Sequence, residues 1–370
     1  MGFLDFAFYG FVAVVIIQVV FYVFLFGKFA FSKQKKVPPK NIAISVIICA
    51  KNEAENLKRF LPSIIEQDYP NFEIVLINDS SKDDTLEVIH HFSKLHDNLK
   101  VVNVKSIEAF WGNKKYALTL GIKASKNDFL LFTDADCKPV SKYWIKEMSA
   151  HFSNTKSIVL GYGAYSKIKN SILNKLVRFE TLITAINYFS FAKSSLPYMG
   201  VGRNLAYTKK EFFDANGFIN HIKLRSGDDD LFVNQIATQN NTTICFSKDS
   251  FTESIPKTTF KGWFKQKRRH VSTAKHYKMK HKVLLTLLYI SNALFWLFAI
   301  ILFVSLFKWQ MVLGLFLFRI VLQYTILGVS SKKLGETDLL VSLPFLEIFL
   351  IITQLTIFIN NLISKPIHWK

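Results

Sequence analysis

Four long apolar runs, one at the start of the chain and three near its end, constrain this sequence more than any other feature. The first extends from Phe3 to Phe26 with Asp5 as its only charged residue. The later runs are Leu284 to Phe307, Trp309 to roughly Val329, and Leu339 to Ile363. As a helix, each is long enough to cross a hydrocarbon core about 30 Å thick. We therefore expect one N-terminal and about three C-terminal transmembrane helices, with a water-soluble domain between them.

Basic residues cluster beside these runs and predict their orientation. Lysines follow the first run, a basic stretch extends from Lys261 to Lys282, and Lys332 and Lys333 form a pair. Because charges follow the first run rather than precede it, this run is expected to be a retained anchor and not a signal peptide. With four spans the basic segments all lie on one side, which the positive-inside rule identifies as the cytoplasm. We expect a multi-pass protein of the cell membrane with its soluble domain in the cytosol.

Two ionisable residues, Arg319 and Glu347, fall inside the predicted spans. An ionisable group within a membrane is a functional candidate by default. Near a helix end, it can instead extend its charged head to the interface. Both interpretations stay open, and neither residue is assigned a catalytic role.

The net charge of +20 indicates attraction to anionic lipids and polyanionic substrates. Nucleic acid is not an expected partner, because the sequence has no zinc-finger, helix-turn-helix or RNA-stacking signature and its basic residues lie next to the apolar runs. The three cysteines, Cys49, Cys137 and Cys245, have no metal-ligand spacing and suit reduced thiols in a cytosolic domain.

The middle of the chain alternates predicted strands and helices. Apolar runs of strand length occur at Ile42 to Ala50, Phe72 to Asn78, Leu99 to Val104 and Phe129 to Phe132. Continuous apolar strands are typical of a parallel sheet that is buried on both faces. Helical spacing between the strands indicates helices near 57–65, 83–92 and 116–124. We expect an α/β fold with a mostly parallel, doubly wound, Rossmann-like sheet and flanking helices.

Polar residues follow three of these strands at the point where each strand ends. They are Asn52 and Glu53 after the first strand, Asp79 after the second, and Asp134 and Asp136 after the fourth. Because ligands of such sheets bind at the carboxyl ends of the strands, the three clusters predict one shared pocket. Neither a GxGxxG nor a GxxxxGK(S/T) loop is present to bind phosphates. A bound diphosphate would need a divalent cation, which Asp134 and Asp136 can hold because alternate residues of an extended segment point the same way.

Candidate residues also occur later in the domain. Arg203 lies within Gly200 to Ala206, and three aspartates, Asp228 to Asp230, precede a helix predicted at Leu231 to Ala237. Adjacent carboxylates repel one another unless they are solvated, bind a metal or cap a helix. The aspartates are therefore expected to be an acidic helix cap, a group that includes a catalytic base, or both at once.

The stretch from Phe260 to Tyr277 mixes aromatic and basic residues next to a predicted span. Such a composition is typical of a helix that lies in the membrane interface. That interpretation leaves room for Gln266 and Arg269 to point back into the pocket.

These ordered motifs resemble the family 2 glycosyltransferases, whose catalytic domain is of the GT-A type, over roughly Ile44 to His270. SVIICAKNEAENL is similar to the family's first strand and Asn-Glu element, VLINDSSKDDT to its donor-binding strand, and GNKKYALTLGIKAS to its Gly-Lys-x-x-Ala-Leu-Asn segment. TDADC resembles the metal-binding Asp-x-Asp, SGDDDL the acidic motif with the general base, and QKRRH the Gln-x-x-Arg-Trp element. The chain is also similar to lipid and ceramide glucosyltransferases and to polysaccharide synthase-like proteins.

The resemblance implies inverting transfer of a sugar from a nucleotide-sugar donor. Asp79, with Glu53 and Asn52, would bind the donor, and Asp134 with Asp136 would hold Mg²⁺ or Mn²⁺ against its diphosphate. The remaining implied donor contacts are Lys114, Lys115, Arg203, Gln266 and Arg269. For at least one of the two lysines, a solvated helix face is the favoured role.

Departures from the family pattern leave the base and the processivity open. The acidic motif of the family usually reads Gly-Glu-Asp-x-Asp-Leu. Counting back from Leu231 makes Asp228 the base, whereas counting forward from Gly227 makes it Asp229. His270 replaces the Trp of the Gln-x-x-Arg-Trp element, which argues against processive polymerisation.

The expected organisation is an N-terminal transmembrane helix at 1–27, a basic linker at 28–41, a cytosolic GT-A-type domain at 42–258, a basic amphipathic interface segment at 259–282 and C-terminal transmembrane helices at 283–365. The acceptor is expected to be a lipid, a lipid-linked molecule or a glycan. A processive polysaccharide synthase subunit and a lipid-headgroup nucleotidyltransferase are the alternatives. A transporter or receptor with a nucleotide-binding domain is a further rival, but it would leave the Asp-x-Asp without a use.

Overall fold

The computed structural model of this chain describes residues 2–34, 37–105, 114–224 and 226–364. Lys35 and Lys36 of the predicted basic linker, and Gly112 of the GNKK segment, lie outside the described residues. The described residues form a central sheet with flanking helices, a small second sheet beside it, and a bundle of long apolar helices.

The strands of the described residues are, in chain order, β1 (Ile44–Ala50), β2 (Phe72–Asp79), β3 (Leu99–Val104), β4 (Phe129–Asp134), β5 (Cys137–Pro139), β6 (Ile158–Leu160), β7 (Gly163–Tyr165), β8 (Leu205–Thr208), β9 (Thr242–Ile244) and β10 (Thr252–Ser254). The central sheet has seven strands in the order β3-β2-β1-β4-β8-β6-β9. The first four strands pair in parallel, while β8 is antiparallel to both β4 and β6. The expectation of a mostly parallel sheet is confirmed.

The parallel half of the sheet follows from the apolar runs of the sequence. All seven residues of β1 are buried, because helices cover both faces of a strand that has neighbours on both sides. The second sheet has three short strands in the order β5-β10-β7. Since β5 begins directly after Asp136, this sheet closes the space beside the carboxyl end of β4.

The α-helices of the described residues are, in chain order, α1 (Phe3–Val20), α2 (Gly27–Ala30), α3 (Ala54–Ile65), α4 (Thr85–Leu95), α5 (Lys114–Ala124), α6 (Trp144–Ala150), α7 (Ile172–Lys193), α8 (Lys209–Asp214), α9 (Asp230–Ile236), α10 (Phe260–Val271), α11 (Met279–Val304), α12 (Trp309–Leu334) and α13 (Leu343–Ile363). The helical spacing read from the sequence is confirmed in α3, where Leu57, Phe60, Leu61 and Ile64 form the buried face. Helix α5 packs against β1 and β2, which brings its first residues to the edge where those strands end.

Among the described residues, four helices are long and apolar enough to cross a membrane. The first is Phe3–Ala30, in which a π-helical segment, Phe21–Phe26, joins α1 to α2. The others are α11, α12 and the segment Thr337–Ile363, which contains α13. One N-terminal and three C-terminal spans were predicted, and this number is confirmed.

A buried polar cluster joins all four spans. The Arg319 guanidinium on α12 donates to Glu347 Oε1 on α13 at 2.6 Å and to Gln18 Oε1 on α1 at 2.5 Å. Gln323 Nε2 and Trp296 Nε1 donate to the same Glu347 carboxylate at 2.9 and 3.1 Å. Because Arg319 is 0% exposed, the interpretation that it extends its head to the interface is wrong. The pair fixes how the spans pack against each other.

A second polar cluster attaches the soluble domain to the spans. Arg178 on α7 donates to both oxygens of Asp338, at 2.9 and 2.7 Å, and also binds the carboxylate of Glu336. Both acidic residues lie between α12 and α13. Lys167 Nζ adds hydrogen bonds to Gly335 O and Asp338 Oδ1 at 2.9 and 2.7 Å. The sheet and the spans are therefore held in one relative position.

We predict that Arg319→Met destabilises the bundle because it leaves the Glu347 carboxylate buried without its cation. The loss is expected to be about 3–5 kcal/mol in the free energy of unfolding, measured by denaturation in detergent micelles. Arg319→Met/Glu347→Leu removes both charges and is expected to recover much of that loss. A single variant as stable as the original protein would contradict a structural role for the pair.

Candidate functional site

The loops that follow β1 and β2 are tied to each other at the carboxyl edge of the sheet. Asn52 adopts a left-handed backbone with φ of 55°, and its Oδ1 accepts a hydrogen bond from the Lys82 amide at 2.8 Å. The Asn52 amide donates to Ser81 Oγ at 3.0 Å, and the Glu53 amide donates to Thr85 Oγ1 at 2.8 Å. The described contacts of Asn52 therefore hold one loop on the other.

Asp79, at the end of β2, lies in the same region. Its side chain is buried, and Lys51 Nζ approaches Asp79 Oδ2 at 3.4 Å. Burial raises the pKa of the Cys49 thiol at the end of β1, Lys114 opposes this shift, and the carboxylates of Asp79, Asp228 and Asp134 add to it. The Cys49 thiol therefore feels the charge of carboxylates from three parts of the chain, of which Asp79 and Asp134 follow predicted strands.

Lys114, the first residue of α5, bridges two acidic motifs that are far apart in sequence. Its Nζ lies 2.7 Å from Asp134 Oδ1 and 3.0 Å from Asp228 Oδ2. Burial disfavours its charged form, but the two carboxylates outweigh burial and hold the pKa of Lys114 well above its ordinary value. In turn, burial alone would raise the pKa of Asp228, but Lys114 lowers it below its ordinary value.

Lys115 has a different environment from its neighbour. Its Nζ donates to the backbone carbonyls of His221, Leu224 and Ser226 at 2.7, 3.0 and 2.8 Å, and the residue is 2% exposed. A solvated helix face is therefore wrong for Lys115, and its three described hydrogen bonds hold the loop that leads into the SGDDDL motif. Lys114 thus binds a carboxylate of the acidic motif, whereas Lys115 binds backbone carbonyls at the start of the motif and in the loop before it.

The second residue of the SGDDDL motif is a glycine that the backbone requires. Gly227 has φ of +96°, and a Cβ there would lie 2.5 Å from the Leu231 side chain. Asp229 caps α9, with Oδ1 accepting from the Asp230 amide and Oδ2 from the Gly202 amide, both at 2.8 Å. Burial, followed by the charges of Asp228 and Asp230, raises the pKa of Asp229 to about 7. The helix-cap interpretation is confirmed for Asp229, whose shifted pKa also suits a base.

Asp230 faces away from its two neighbours toward the membrane-proximal segment. Its Oδ2 accepts hydrogen bonds from the hydroxyls of Thr273 and Tyr277, at 2.5 and 2.6 Å. One turn further along α9, Asn234 Oδ1 accepts from the Lys278 amide at 3.0 Å. Sequence reasoning missed these partners, because they lie more than forty residues away in a stretch whose composition indicated only an interface.

Asp134, Asp136 and Cys137 bring their ligand atoms within 4.8 Å of one another. Burial and the neighbouring carboxylates of Asp134 and Glu53 raise the pKa of Asp136, a repulsion that a cation would relieve. Burial, together with Asp136 and Asp134, holds the pKa of the Cys137 thiol well above its ordinary value, so the thiol stays protonated. The donor set that remains is a pair of carboxylates, which fits a hard divalent cation.

Arg203 lies beside this carboxylate pair. Its guanidinium stacks over the Tyr165 ring at 4.2 Å and donates to the Ala164 carbonyl at 3.0 Å. Burial opposes the charge of Arg203, but Tyr165 and nearby acidic groups, including Asp134 and Asp136, raise its pKa. The loop that carries Arg203 is fastened by Asn204, whose Nδ2 donates to the Tyr162 and Ser250 carbonyls at 2.9 and 2.7 Å.

Consecutive basic residues of α10 have different partners. Lys267 forms an ion pair with Glu180 on α7. Arg268 donates to Asn361 Oδ1 at 2.9 Å and to the Ser364 carbonyl at 2.7 Å, at the end of α13. Arg269 is half-buried and interacts electrostatically with Asp228 and Asp134. Gln266, also half-buried on α10, makes no side-chain hydrogen bond or ion pair among the described residues, and its contact with the donor stays a prediction.

The acidic motifs share a cavity at the carboxyl edge of the sheet. Its lining includes Cys49, Lys114, Asp134, Gly202, Asp228 and Asp229. Of the residues that follow the three strands, Asp134 lines this cavity together with Asp228 and Asp229 of the acidic motif before α9. Asn52, Glu53, Asp79 and Asp136 are not among its lining residues, so their place in a shared pocket stays a prediction.

Comparisons with known proteins agree with this architecture. Residues 45–213 match the family model described as Glycosyl transferase family 2. A poly-β-1,6-N-acetyl-D-glucosamine synthase of Staphylococcus epidermidis is 32% identical over 179 residues, covering 42% of this chain and 41% of that protein. A UDP-Glc:α-D-GlcNAc-diphosphoundecaprenol β-1,3-glucosyltransferase of Escherichia coli is 26% identical over 133 residues, covering 35% and 49%. The matches thus span less than half the length of these curated relatives.

A solved structure shares the fold over nearly the whole chain. The mannosyltransferase PcManGT from Pyrobaculum calidifontis, solved in complex with GDP-Man and Mn²⁺, covers 90% of this chain and 98% of its own, with a TM-score of 0.59 and 17% identity. The seven-stranded sheet and its flanking helices have the GT-A-type fold. The matched segment is similar to family 2 glycosyltransferase domains, and the described residues include four helices that are long and apolar enough to cross a membrane.

We predict opposite consequences for matched variants of the two α5 lysines. Lys115→Met removes three hydrogen bonds from a buried ammonium to loop carbonyls, although the His221 carbonyl keeps the Leu224 amide as a donor. It is expected to lower the free energy of unfolding by about 3 kcal/mol. Lys114→Met is expected to cost less stability, because Asp134 and Asp228 keep 31% and 14% side-chain exposure, but to reduce sugar transfer more than about tenfold. Denaturation in detergent and a transfer assay measure the two effects. Equal stability of Lys115→Met and the original protein would contradict the positioning role of Lys115.

Proposed function

We propose that this protein transfers a sugar, with inversion, from a nucleotide-sugar donor to a lipid or lipid-linked acceptor at the cytoplasmic face of the membrane. The observation that carries the proposal is the cavity in which Lys114 bridges Asp134 and Asp228. A site with paired carboxylates, a bridging cation and an adjacent carboxylate of raised pKa can bind a diphosphate and remove a proton.

The donor is proposed to lie across the carboxyl ends of β2, β1 and β4. Asp79 and Glu53 face the nucleoside, and the hydrogen bonds of Asn52 hold their loops together. Arg203 and Arg269 supply positive charge for the diphosphate, and Gln266 of the same helix is a further candidate. Lys115 is assigned a positioning role instead, because its ammonium binds backbone carbonyls.

Asp134 and Asp136 are proposed to hold Mg²⁺ or Mn²⁺. When bound, such an ion offsets negative charge on the diphosphate leaving group. The residues of the chain act around it: Arg203 is held on Tyr165 beside the two carboxylates, and Lys114 keeps its charge at Asp134. These cations reduce the repulsion that a diphosphate would otherwise meet at an acidic edge.

Asp229 is proposed as the base. With a pKa of about 7 it is poised near neutral pH, whereas Lys114 keeps Asp228 ionised and engaged. The backbone amides of Gly202 and Asp230 fix the direction of the Asp229 carboxylate. Asp229 accepts the proton of the acceptor hydroxyl as that oxygen attacks the anomeric carbon opposite the departing diphosphate, so the configuration inverts.

The acceptor is proposed to be a lipid or lipid-linked molecule because the base is anchored to the membrane-proximal segment. Asp230, next to the base, binds Thr273 and Tyr277, and α11 begins directly after them. The charge distribution supports the cytoplasmic side, since lysines and arginines flank the span ends on the side of the sheet. A glycan acceptor is the second candidate, in keeping with the likeness to the polysaccharide synthase of Staphylococcus epidermidis.

The test is release of nucleoside diphosphate from a panel of nucleotide sugars by the full-length protein in detergent with added membrane lipids. One donor is expected to turn over only with Mg²⁺ or Mn²⁺, and Asp136→Ala or Asp229→Asn is expected to reduce the rate by about 10²–10⁴-fold. For Asp229 as base, kcat/KM rises with pH to half its maximum near pH 7, because the carboxyl must first lose its proton.

Two results would count against the assignment. A kcat/KM that is flat above pH 5, with Asp228→Asn as the inactive variant, would transfer the role of base to Asp228, whose pKa is lowered. Release of pyrophosphate in place of nucleoside diphosphate would identify a nucleotidyltransferase. Glu211→Gln, on a helix remote from the cavity, is the matched control and should retain the original rate.

A further inference from the structure

A second cavity lies at the far edge of the central sheet, along the edge strand β9. Its volume is about 300 Å³, at the lower end of the ~300–1,000 Å³ that ligand pockets occupy. Thr242, Thr243 and Ile244 of β9 form one wall, and the end of α7 forms another. Its described lining shares no residue with that of the cavity around Asp134. It is therefore a separate site.

The second cavity is adjacent to the ends of two spans. Phe246, which lines it, packs edge-on against Phe29 of α2 with ring centroids 5.3 Å apart. The Lys333 ammonium, in the last turn of α12, lies 5.2 Å above the Phe246 ring and donates to the Phe29 carbonyl at 2.8 Å. Lys33 and Gln34, just beyond the first span, complete the wall. A ligand in the cavity would therefore be at the level of lipid headgroups.

The lining of the cavity is strongly basic. Lys33, Lys156, Lys193 and His151 contribute to it, and none of the twelve described lining residues is an aspartate or a glutamate. Lys193 lies in the last turn of α7, where the helix dipole favours a cation. The hydroxyls of Ser195 and Thr243 add hydrogen-bond donors. Concentrated positive charge with hydroxyl donors is the chemistry that binds a phosphate group.

We propose that this cavity binds the headgroup of an anionic phospholipid. The phosphate lies among the three lysines, and the acyl chains extend along the first span, where Phe24 and, just beyond its end, Phe31 are exposed. A headgroup that carries its own quaternary ammonium would bring like charge to the lysines and is disfavoured. The site rests on the membrane placement of the spans and not on the proposed transfer reaction.

The test is calorimetric titration of the full-length, detergent-purified protein with dihexanoyl phosphatidylglycerol and, separately, dihexanoyl phosphatidylcholine. Only the anionic lipid is expected to bind. The triple variant Lys33→Gln/Lys156→Gln/Lys193→Gln should weaken phosphatidylglycerol binding about 100-fold, because each lysine is expected to contribute about fivefold. Lys261→Gln/Lys265→Gln/Lys275→Gln, which removes equal charge from the exposed interface segment, should change binding less than about threefold.

A second pair of variants keeps the test valid should the triple variant not fold. Ser195→Glu places a carboxylate at the exposed rim of the cavity and should weaken phosphatidylglycerol binding at least tenfold. Ser195→Gln introduces a side chain of the same size without the charge and should leave that binding unchanged. Equal binding of both lipids, or equal losses in both triple variants, would overturn the proposal. So would equally tight binding of inorganic phosphate or sn-glycerol 3-phosphate, which would make the occupant a soluble phosphate. No donor or acceptor is present, so a failed transfer proposal would leave these results unchanged.

Discussion

The mutual repulsion of carboxylates at one edge of the sheet is the constraint around which the site is arranged. Asp134 comes from β4, and Asp228 and Asp229 precede α9, yet they line one cavity. Lys114 lies between the two groups, bonded to one carboxylate of each. Without a cation at that point, burial and like charge would favour protonation of the aspartates over assembly of the motifs. The packing of α5 on β1 and β2 is therefore as necessary to the site as the aspartates themselves.

The same residues connect the site to the membrane helices. The three aspartates of the SGDDDL motif have separate roles: Asp228 pairs with Lys114, Asp229 caps α9 and Asp230 binds Thr273 and Tyr277. Through Asp230 the start of α9 is fixed to the segment that leads into α11. Arg178 makes a second attachment on the loop between α12 and α13. Because polar contacts hold both attachments, the position of the cavity relative to the bilayer is part of the fold.

The sequence predicted the features that depend on long or local patterns. Strands β1 to β4 could be recognised because buried parallel strands are continuous apolar runs, and the end of β4 located Asp134 of the cavity. Strands β6, β7 and β9 have only three residues each, too few for any periodicity. Lys114 and Lys115 have the same chemistry and adjacent positions. Only tertiary packing decides that Lys114 binds a carboxylate and Lys115 binds backbone carbonyls. The burial of Arg319 likewise depends on Glu347 and Gln18, which come from other helices.

The central claim, that these carboxylates form one donor and metal site, is tested most directly by locating Mn²⁺ in crystals grown with a nucleoside diphosphate. An anomalous difference map is predicted to show a peak within coordination distance of the carboxylates of Asp134 and Asp136. The diphosphate is predicted between that peak and Arg203, with the nucleoside beside Asp79. A nucleotide bound away from the carboxyl ends of β1, β2 and β4, or a metal held elsewhere on the chain, would contradict the account.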